Sequence, residues 1–157
     1  LGMALSESIS DADITSGRCF DLGWLQQHES MTLSNRLKLG TGPVRARLLD
    51  AITTAKATFN NCNSSAWKED LLAINGYDER MKYGGPDREL GERLENHGVR
   101  GKQVRHRAVC LHLDHARGYK TTASVQANLA IRAETRSRKT VWTPHGIKKA
   151  KEPPSDS

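Results

Sequence analysis

Apolar residues recur at helical spacing in four stretches of the chain, with polar residues between them. Val44 and Leu48 begin the first pattern, which predicts a helix over residues 44–58. Three more helices are predicted: from Ser64-Ser65 to Asn75-Gly76, from Pro86 to Gly98, and over residues 122–136. The helix at Pro86 starts with a proline, whose missing N–H costs nothing at a first helical position, and Gly98 closes it.

Two other stretches carry an extended pattern. Residues 103–111, QVRHRAVCL, alternate in polarity and end in apolar residues, which predicts a β-strand. Residues 59–63 predict a short strand or an extended entry to the next helix. The sequence HLDH follows residue 111, so His112 and His115 are predicted at the C-terminal end of the longer strand.

The positive charge is concentrated toward the C-terminus. The chain has a net charge of +6, and residues 99–151 carry thirteen Lys and Arg against Asp114 and Glu134. Such a segment indicates an anionic partner. The candidates are nucleic acid, a membrane surface and a phosphorylated small molecule. A solvated charged face is the ordinary structural alternative.

Composition excludes several classes of protein. No apolar run approaches the roughly 18 residues of a membrane span, and the first residues do not have the pattern of a secretory signal. Cys19, Cys62 and Cys110 form no Cys-x-x-Cys pair, so neither a disulfide framework nor a zinc ribbon is predicted. We expect reduced thiols and a cytoplasmic location.

Three features in the middle of the chain can carry chemistry. They are the loop and helix NCNSSAWKEDLLAINGYDE, the glycine pair before Pro86 and Asp87, and the two histidines of HLDH. Glycines let a backbone approach a ligand closely, and a carboxylate can accept a proton from a substrate hydroxyl. A histidine near such a carboxylate can hold a divalent metal. Each feature alone also has a structural explanation, as a helix cap or an exposed histidine pair.

Taken in order, these features resemble the C-terminal half of a family 2 glycosyltransferase, in its galactosyltransferase-like branch. The resemblance covers about residues 57–147 and includes NGYDE, YGGPDREL and the strand-end histidine. It implies an α/β fold: the C-terminal portion of the A-type nucleotide-sugar fold, a Rossmann-like sandwich, incomplete at the N-terminus. The implied reaction is transfer of a sugar from a nucleotide-diphosphate donor to a hydroxyl of a glycan or lipid-linked acceptor, with inversion.

The resemblance also implies roles for individual residues. Asp87 matches the catalytic base, and His112 matches a metal ligand, with His115 as a second candidate for a divalent Mn or Mg ion. We expect His112 and Asp87 to share one site. The implied substrate-binding residues are Trp67, Asp78, Gly84, Gly85 and Glu89. Glu79 lies on the same loop as Asp78.

Two departures from the family pattern qualify the resemblance. Pro86 stands where the family usually has Glu, and proline cannot bind a sugar hydroxyl through a side-chain hydrogen bond. The uridine-binding half is not recognisable, and we interpret Asp11-Ala12-Asp13 as a coincidental match to its Asp-x-Asp motif. We therefore expect weak or no nucleotide-sugar binding by this chain alone. The alternatives are a catalytically inactive remnant of the fold and a basic nucleic-acid-binding module.

The predicted organisation has three segments. Residues 1–18 form a weakly ordered N-terminal segment, residues 19–147 the glycosyltransferase region, and residues 148–157 a disordered basic tail. The predicted partners are a nucleotide-diphosphate sugar and a glycan or lipid-linked acceptor, with peripheral contact to an anionic membrane surface. Nucleic acid is not expected, because the basic residues of the C-terminal third have no interleaved aromatics.

Overall fold

The computed structural model describes residues 1–115 and 121–149, and within those ranges the protein is helical, without a strand or a sheet. The predicted α/β sandwich is therefore wrong. An isolated antiparallel bridge joins His145 to Lys149. In chain order the helices are α1 (Met3–Ser8), α2 (Asp11–Thr15), α3 (Leu22–His28), α4 (Leu33–Leu39), α5 (Pro43–Ile52), α6 (Lys68–Ala73), α7 (Pro86–Asn96) and α8 (Thr122–Ser137).

The chain divides into two compact units. The first contains Leu1–Lys56 and the described part of Gln103–Arg117, and the second contains Ala57–Lys102 and the described part of Gly118–Ser157. The first unit buries Leu5, Cys19, Leu25 and Ala46 among its short helices. The second unit has a core of Ile74, Leu90 and Leu94, against which Phe59, Ala66, Leu71, Val99 and Val141 pack.

The predicted strand over residues 103–111 is replaced by a turn that is fastened to α5. The Arg107 and Ala108 amides both donate to the carbonyl of Val104, which closes the turn. Asp50 of α5 accepts bonds from the backbone and ring of His106 and from the Arg107 guanidinium, at 2.8–3.0 Å. The alternating pattern predicted a strand here. In the turn, the amides of Arg107 and Ala108 bond to the Val104 carbonyl, and the His106 amide bonds to the buried Asp50 carboxylate, so these groups need no partner strand.

Three of the predicted helices have different bounds from those expected. The first ends at Ile52, with Thr53 extended, and not at residue 58. The second begins at Lys68, and no side chain caps it at Trp67. The Ser64 hydroxyl, a predicted cap, accepts the Asn60 backbone amide at 2.7 Å instead. The last, α8, begins after the Thr121 cap and extends to Ser137.

The helix predicted from Pro86 is confirmed. Gly85 precedes it with φ +99°, a left-handed conformation that glycine adopts at little cost, and Pro86 takes the first helical position. The helix ends at Asn96, and Gly98 follows with φ +96°. These bounds fix where Asp87 lies, in the first turn of α7.

The terminal segments differ in how much of them is described. Residues 1–18, expected to be weakly ordered, contain α1 and α2, and Ser10 and Asp13 form a capping box at the start of α2. Of the tail predicted over residues 148–157, residues 150–157 lie outside the described ranges.

None of the helices within the described ranges is long and apolar enough to cross a membrane.

Candidate functional site

The candidate site lies in the second unit, where the loop before α7 leads into the first turn of that helix. Asp87 is half-buried there. One of its carboxylate oxygens accepts the backbone N–H of Arg88 at 2.8 Å, and the other accepts the backbone N–H of Asn61 at 3.3 Å. Each carboxylate oxygen has two acceptor positions, so both retain capacity for a further donor such as a hydroxyl group.

Tyr77 and Asn61 are linked to each other beside Asp87. The Tyr77 hydroxyl donates to the Asn61 side-chain carbonyl. Burial raises the pKa of Tyr77, and the negative charge of Asp87 raises it further. Neither Asn61 nor Tyr77 is among the site residues predicted from the sequence. Asn61 lies 26 residues before Asp87, so no local spacing connects the two residues.

The glycine pair before α7 is held in place by α8. Gly84 and Gly85 have φ of +108° and +99°. The Asn128 side-chain amide donates to the carbonyls of Lys82, Tyr83 and Gly84 at 3.3, 2.9 and 3.2 Å. A Cβ at Gly84 would lie 3.2 Å from the Val125 side chain. Backbone conformation and close packing therefore account for glycine here without a ligand.

Asp78, a predicted substrate-binding residue, is buried and already fully engaged. Arg80 donates to it through its amide, its Nε and its Nη2, at 3.1, 3.0 and 2.7 Å. The Thr143 hydroxyl donates to the same carboxylate at 2.8 Å. Burial acts to raise the pKa of Asp78, but the bonds from Arg80 and Thr143 outweigh it and lower the pKa to about 2. The carboxylate thus fixes the loop after Gly76 against Thr143.

Asp78 makes folding stability sensitive to acid. Because its pKa of about 2 lies below its ordinary value of 3.8, its contribution is present above about pH 4 and is lost as pH falls toward 2. We expect Asp78→Asn to remove about 2 kcal/mol at pH 7 and to flatten the stability profile between pH 4 and 2. Urea unfolding at several pH values measures this. Glu69→Gln, at an exposed residue of α6, is the control, and an equal flattening in it would contradict the assignment to Asp78.

Glu89, another predicted substrate-binding residue, lies inside the second unit. It forms an i,i+4 ion pair with Arg93, and the two side chains are only 2% and 0% exposed. Arg93 also donates to the carbonyls of Ile74 and Gly76 at 2.6 and 2.7 Å, and the Thr135 hydroxyl donates to Glu89 at 2.9 Å. The pair therefore joins α7 to the end of α6 and to α8.

Trp67 and Glu79 complete the predicted residues of the second unit. Trp67 precedes the first residue of α6, and its side chain is largely exposed. Exposure of a large aromatic ring is compatible with the predicted contact to a sugar. Glu79 is exposed and forms an ion pair with Lys149, while its amide donates to the His145 carbonyl at 3.0 Å.

His112 and His115, the predicted metal ligands, belong to the first unit. Their ring centroids lie 5.6 Å apart. Within residues 1–115 and 121–149, no group of three or more His, Cys, Asp or Glu side chains is arranged to hold a metal ion. Two imidazoles are an incomplete ligand set for the predicted divalent ion. Because Asp87 belongs to the second unit, a site shared by Asp87 and His112 stays a prediction.

Comparison with known families identifies one matching region. Residues 50–116 match the family model described as the N-terminal domain of galactosyltransferase. No curated protein and no solved structure matches the chain. The match includes Asn61, Asp87 and both histidines, and it does not itself place the stretch in a C-terminal half. It confirms the resemblance seen in the sequence: residues 50–116 are a galactosyltransferase-like region.

Proposed function

We propose that the protein is a glycosyltransferase in which Asp87 is the catalytic base. The observation that carries this proposal is the galactosyltransferase-like region, which contains Asp87 in the first turn of α7. The family description makes galactose the first sugar to consider, with a nucleoside diphosphate as the leaving group. The acceptor is a hydroxyl of a glycan or of a lipid-linked saccharide.

The reaction we propose is a single displacement with inversion. Asp87 takes the proton of the acceptor hydroxyl while the oxygen forms a bond to the anomeric carbon. The bond from that carbon to the donor diphosphate breaks, and the diphosphate leaves with the bonding electron pair. The backbone amides of Asn61 and Arg88 each donate to one oxygen of Asp87, and each oxygen keeps an acceptor position for the hydroxyl of the acceptor.

Pro86 changes how the acceptor is bound in this proposal. It occupies the first position of α7, where it offers neither an N–H donor nor a polar side chain. Asn61 and Tyr77 carry polar groups next to Asp87. We propose that they bind the acceptor in place of the acid that the family usually has at position 86.

The metal is a separate part of the proposal. His112 and His115 alone do not make a complete ligand set, so no step of the displacement is assigned to a metal ion. The role of Asp87 is independent of that question, because proton transfer to a carboxylate requires only geometry and a suitable pKa. Manganese and magnesium dependence is measured by assaying transfer with and without a chelator.

Local ion pairs weaken the case for a nucleic-acid-binding module. Arg132 and Arg136 both pair with Glu92, at 2.6 and 3.4 Å, and Arg138 pairs with Glu134 at 2.9 Å. These arginines of the basic C-terminal third are thus partly neutralised within the protein. The inactive-remnant alternative rests on Pro86, and an activity measurement distinguishes it from the enzyme.

We expect the full-length natural protein to transfer a sugar residue from a nucleotide sugar to saccharide acceptors. The experiment incubates it with UDP-galactose, UDP-glucose and UDP-N-acetylgalactosamine in turn, each with a panel of free and lipid-linked saccharides. Mass spectrometry detects an acceptor whose mass has increased by one sugar residue. Absence of product with every donor, from a protein that unfolds cooperatively, would favour the inactive remnant.

A further inference from the structure

Helix α5 of the first unit has an apolar face that the described structure does not cover. Val44, Leu48 and Ile52 are 78%, 61% and 65% exposed. They lie at positions i, i+4 and i+8, which places them in one stripe along the helix. Isolated exposed apolar residues are common on protein surfaces, but a continuous stripe on one helix marks an interaction site.

The opposite side of α5 attaches the helix to its own unit. Ala46 is buried, and the side chain of Asp50 is 4% exposed. Asp50 is bound by His106 and Arg107 at 2.9 and 2.8 Å. Burial acts to raise the pKa of Asp50, but the bonds from Arg107 and His106 outweigh it and lower the pKa. The only acid of α5 is thus turned inward and balanced by basic partners.

The charges on the outer side of α5 are positive. Arg45 and Arg47 are exposed, and a turn of about 100° per residue places them on opposite flanks of the apolar stripe. No acidic residue occurs between Glu29 and Asp50. The preceding helix α4 has the same combination, with exposed Leu33 and Leu37 and the basic residue Arg36.

We propose that the outer face of α5 binds an anionic lipid bilayer. An apolar stripe flanked by arginines is the pattern of a helix that lies in the membrane interface. The stripe enters the boundary between headgroups and acyl chains, and the long arginine side chains reach outward to lipid phosphates and carboxylates. None of the residues of this face has a role in the proposed sugar transfer. Membrane binding and transferase activity can therefore each be present without the other.

The test is flotation of the full chain with vesicles. Vesicles of phosphatidylcholine with about one-third phosphatidylserine are compared with vesicles of phosphatidylcholine alone. We expect binding to the anionic vesicles, a decrease in binding at high salt, and little binding to the neutral ones. Leu48→Gln/Ile52→Gln and Arg45→Gln/Arg47→Gln should each reduce binding at least tenfold, while the urea midpoint stays near that of the wild type.

Matched variants in the second unit control for general effects of polarity and charge. Leu72→Gln/Leu129→Gln removes two leucines that are each 49% exposed, and Arg100→Gln/Lys102→Gln removes two exposed bases. Both should bind anionic vesicles as the wild type does. Equal loss in these controls, or unchanged binding in the α5 variants, would overturn the proposal. So would self-association without vesicles that disappears in Leu48→Gln/Ile52→Gln, since the face would then bind a second copy.

Discussion

Replacing Asp87 with Asn is expected to lower the rate of sugar transfer by about 100-fold or more, because the amide cannot take the proton of the acceptor hydroxyl. The fold should persist. The Asn side chain is nearly isosteric, and its single carbonyl can still accept the Arg88 backbone amide that now bonds to Asp87 at 2.8 Å, while the longer bond from the Asn61 backbone amide, at 3.3 Å, is lost. The loss of a negative charge at the start of α7 should cost no more than about 1 kcal/mol. Turnover and urea unfolding of the full-length protein measure the two effects separately.

Asp70→Asn is the matched control for this prediction. Asp70 occupies the first turn of α6 in the same unit, as Asp87 does in α7. If Asp87 only stabilises the start of its helix, the two substitutions should have similar effects on stability and neither should change turnover. A rate within a few-fold of the wild type in Asp87→Asn would therefore show that Asp87 is not the base.

The elements that were predicted from the sequence are those whose ends are determined locally. Pro86 and Gly98 bracket α7, and both act on the backbone of their own residue, through a fixed φ or a permitted positive φ. The prediction of a strand over residues 103–111 was wrong, because a strand depends on a distant partner and not on local residues. Its alternation is real, but a strand needs a neighbouring strand to pair with, and here Asp50 holds the segment in a turn.

The candidate site shows the same division between local and distant determinants. The position of Asp87 at a helix start follows from the residues around it. Asn61 and Asn128, which bind Asp87 and the glycine loop, lie 26 residues before and 44 or more residues after their partners. A single sequence gives no spacing rule for such contacts. Glu89 and Arg93 had a predictable pairing, but their burial depends on α8 and on the end of α6.

That buried pair leads to the largest expected effect on stability. Arg93→Met should lower the free energy of unfolding by about 3–5 kcal/mol, because it leaves the Glu89 carboxylate buried without its counter-charge. The variant also loses the bonds to the carbonyls of Ile74 and Gly76, at 2.6 and 2.7 Å. Urea unfolding at pH 7 measures the change.

Glu134 and Arg138 provide a control with the same residue types at the same spacing. Their side chains are 49% and 75% exposed, whereas those of Glu89 and Arg93 are 2% and 0% exposed. Arg138→Met should therefore cost only a few tenths of a kcal/mol. Similar losses in the two variants would mean that burial does not decide the strength of the pair.

A double substitution separates the cost of the unpaired charge from the loss of packing. In Glu89→Gln/Arg93→Met the buried acid is neutral, so the loss should be smaller than in Arg93→Met alone, by about 1 kcal/mol or more. The Gln side chain can still accept the Thr135 hydroxyl, which now bonds to Glu89 at 2.9 Å. If the stability lost in the double variant equals the sum of the losses in Glu89→Gln and Arg93→Met, the buried charge is not the cause. The loss of the Arg93 bonds to the carbonyls that end α6 would then account for the whole effect.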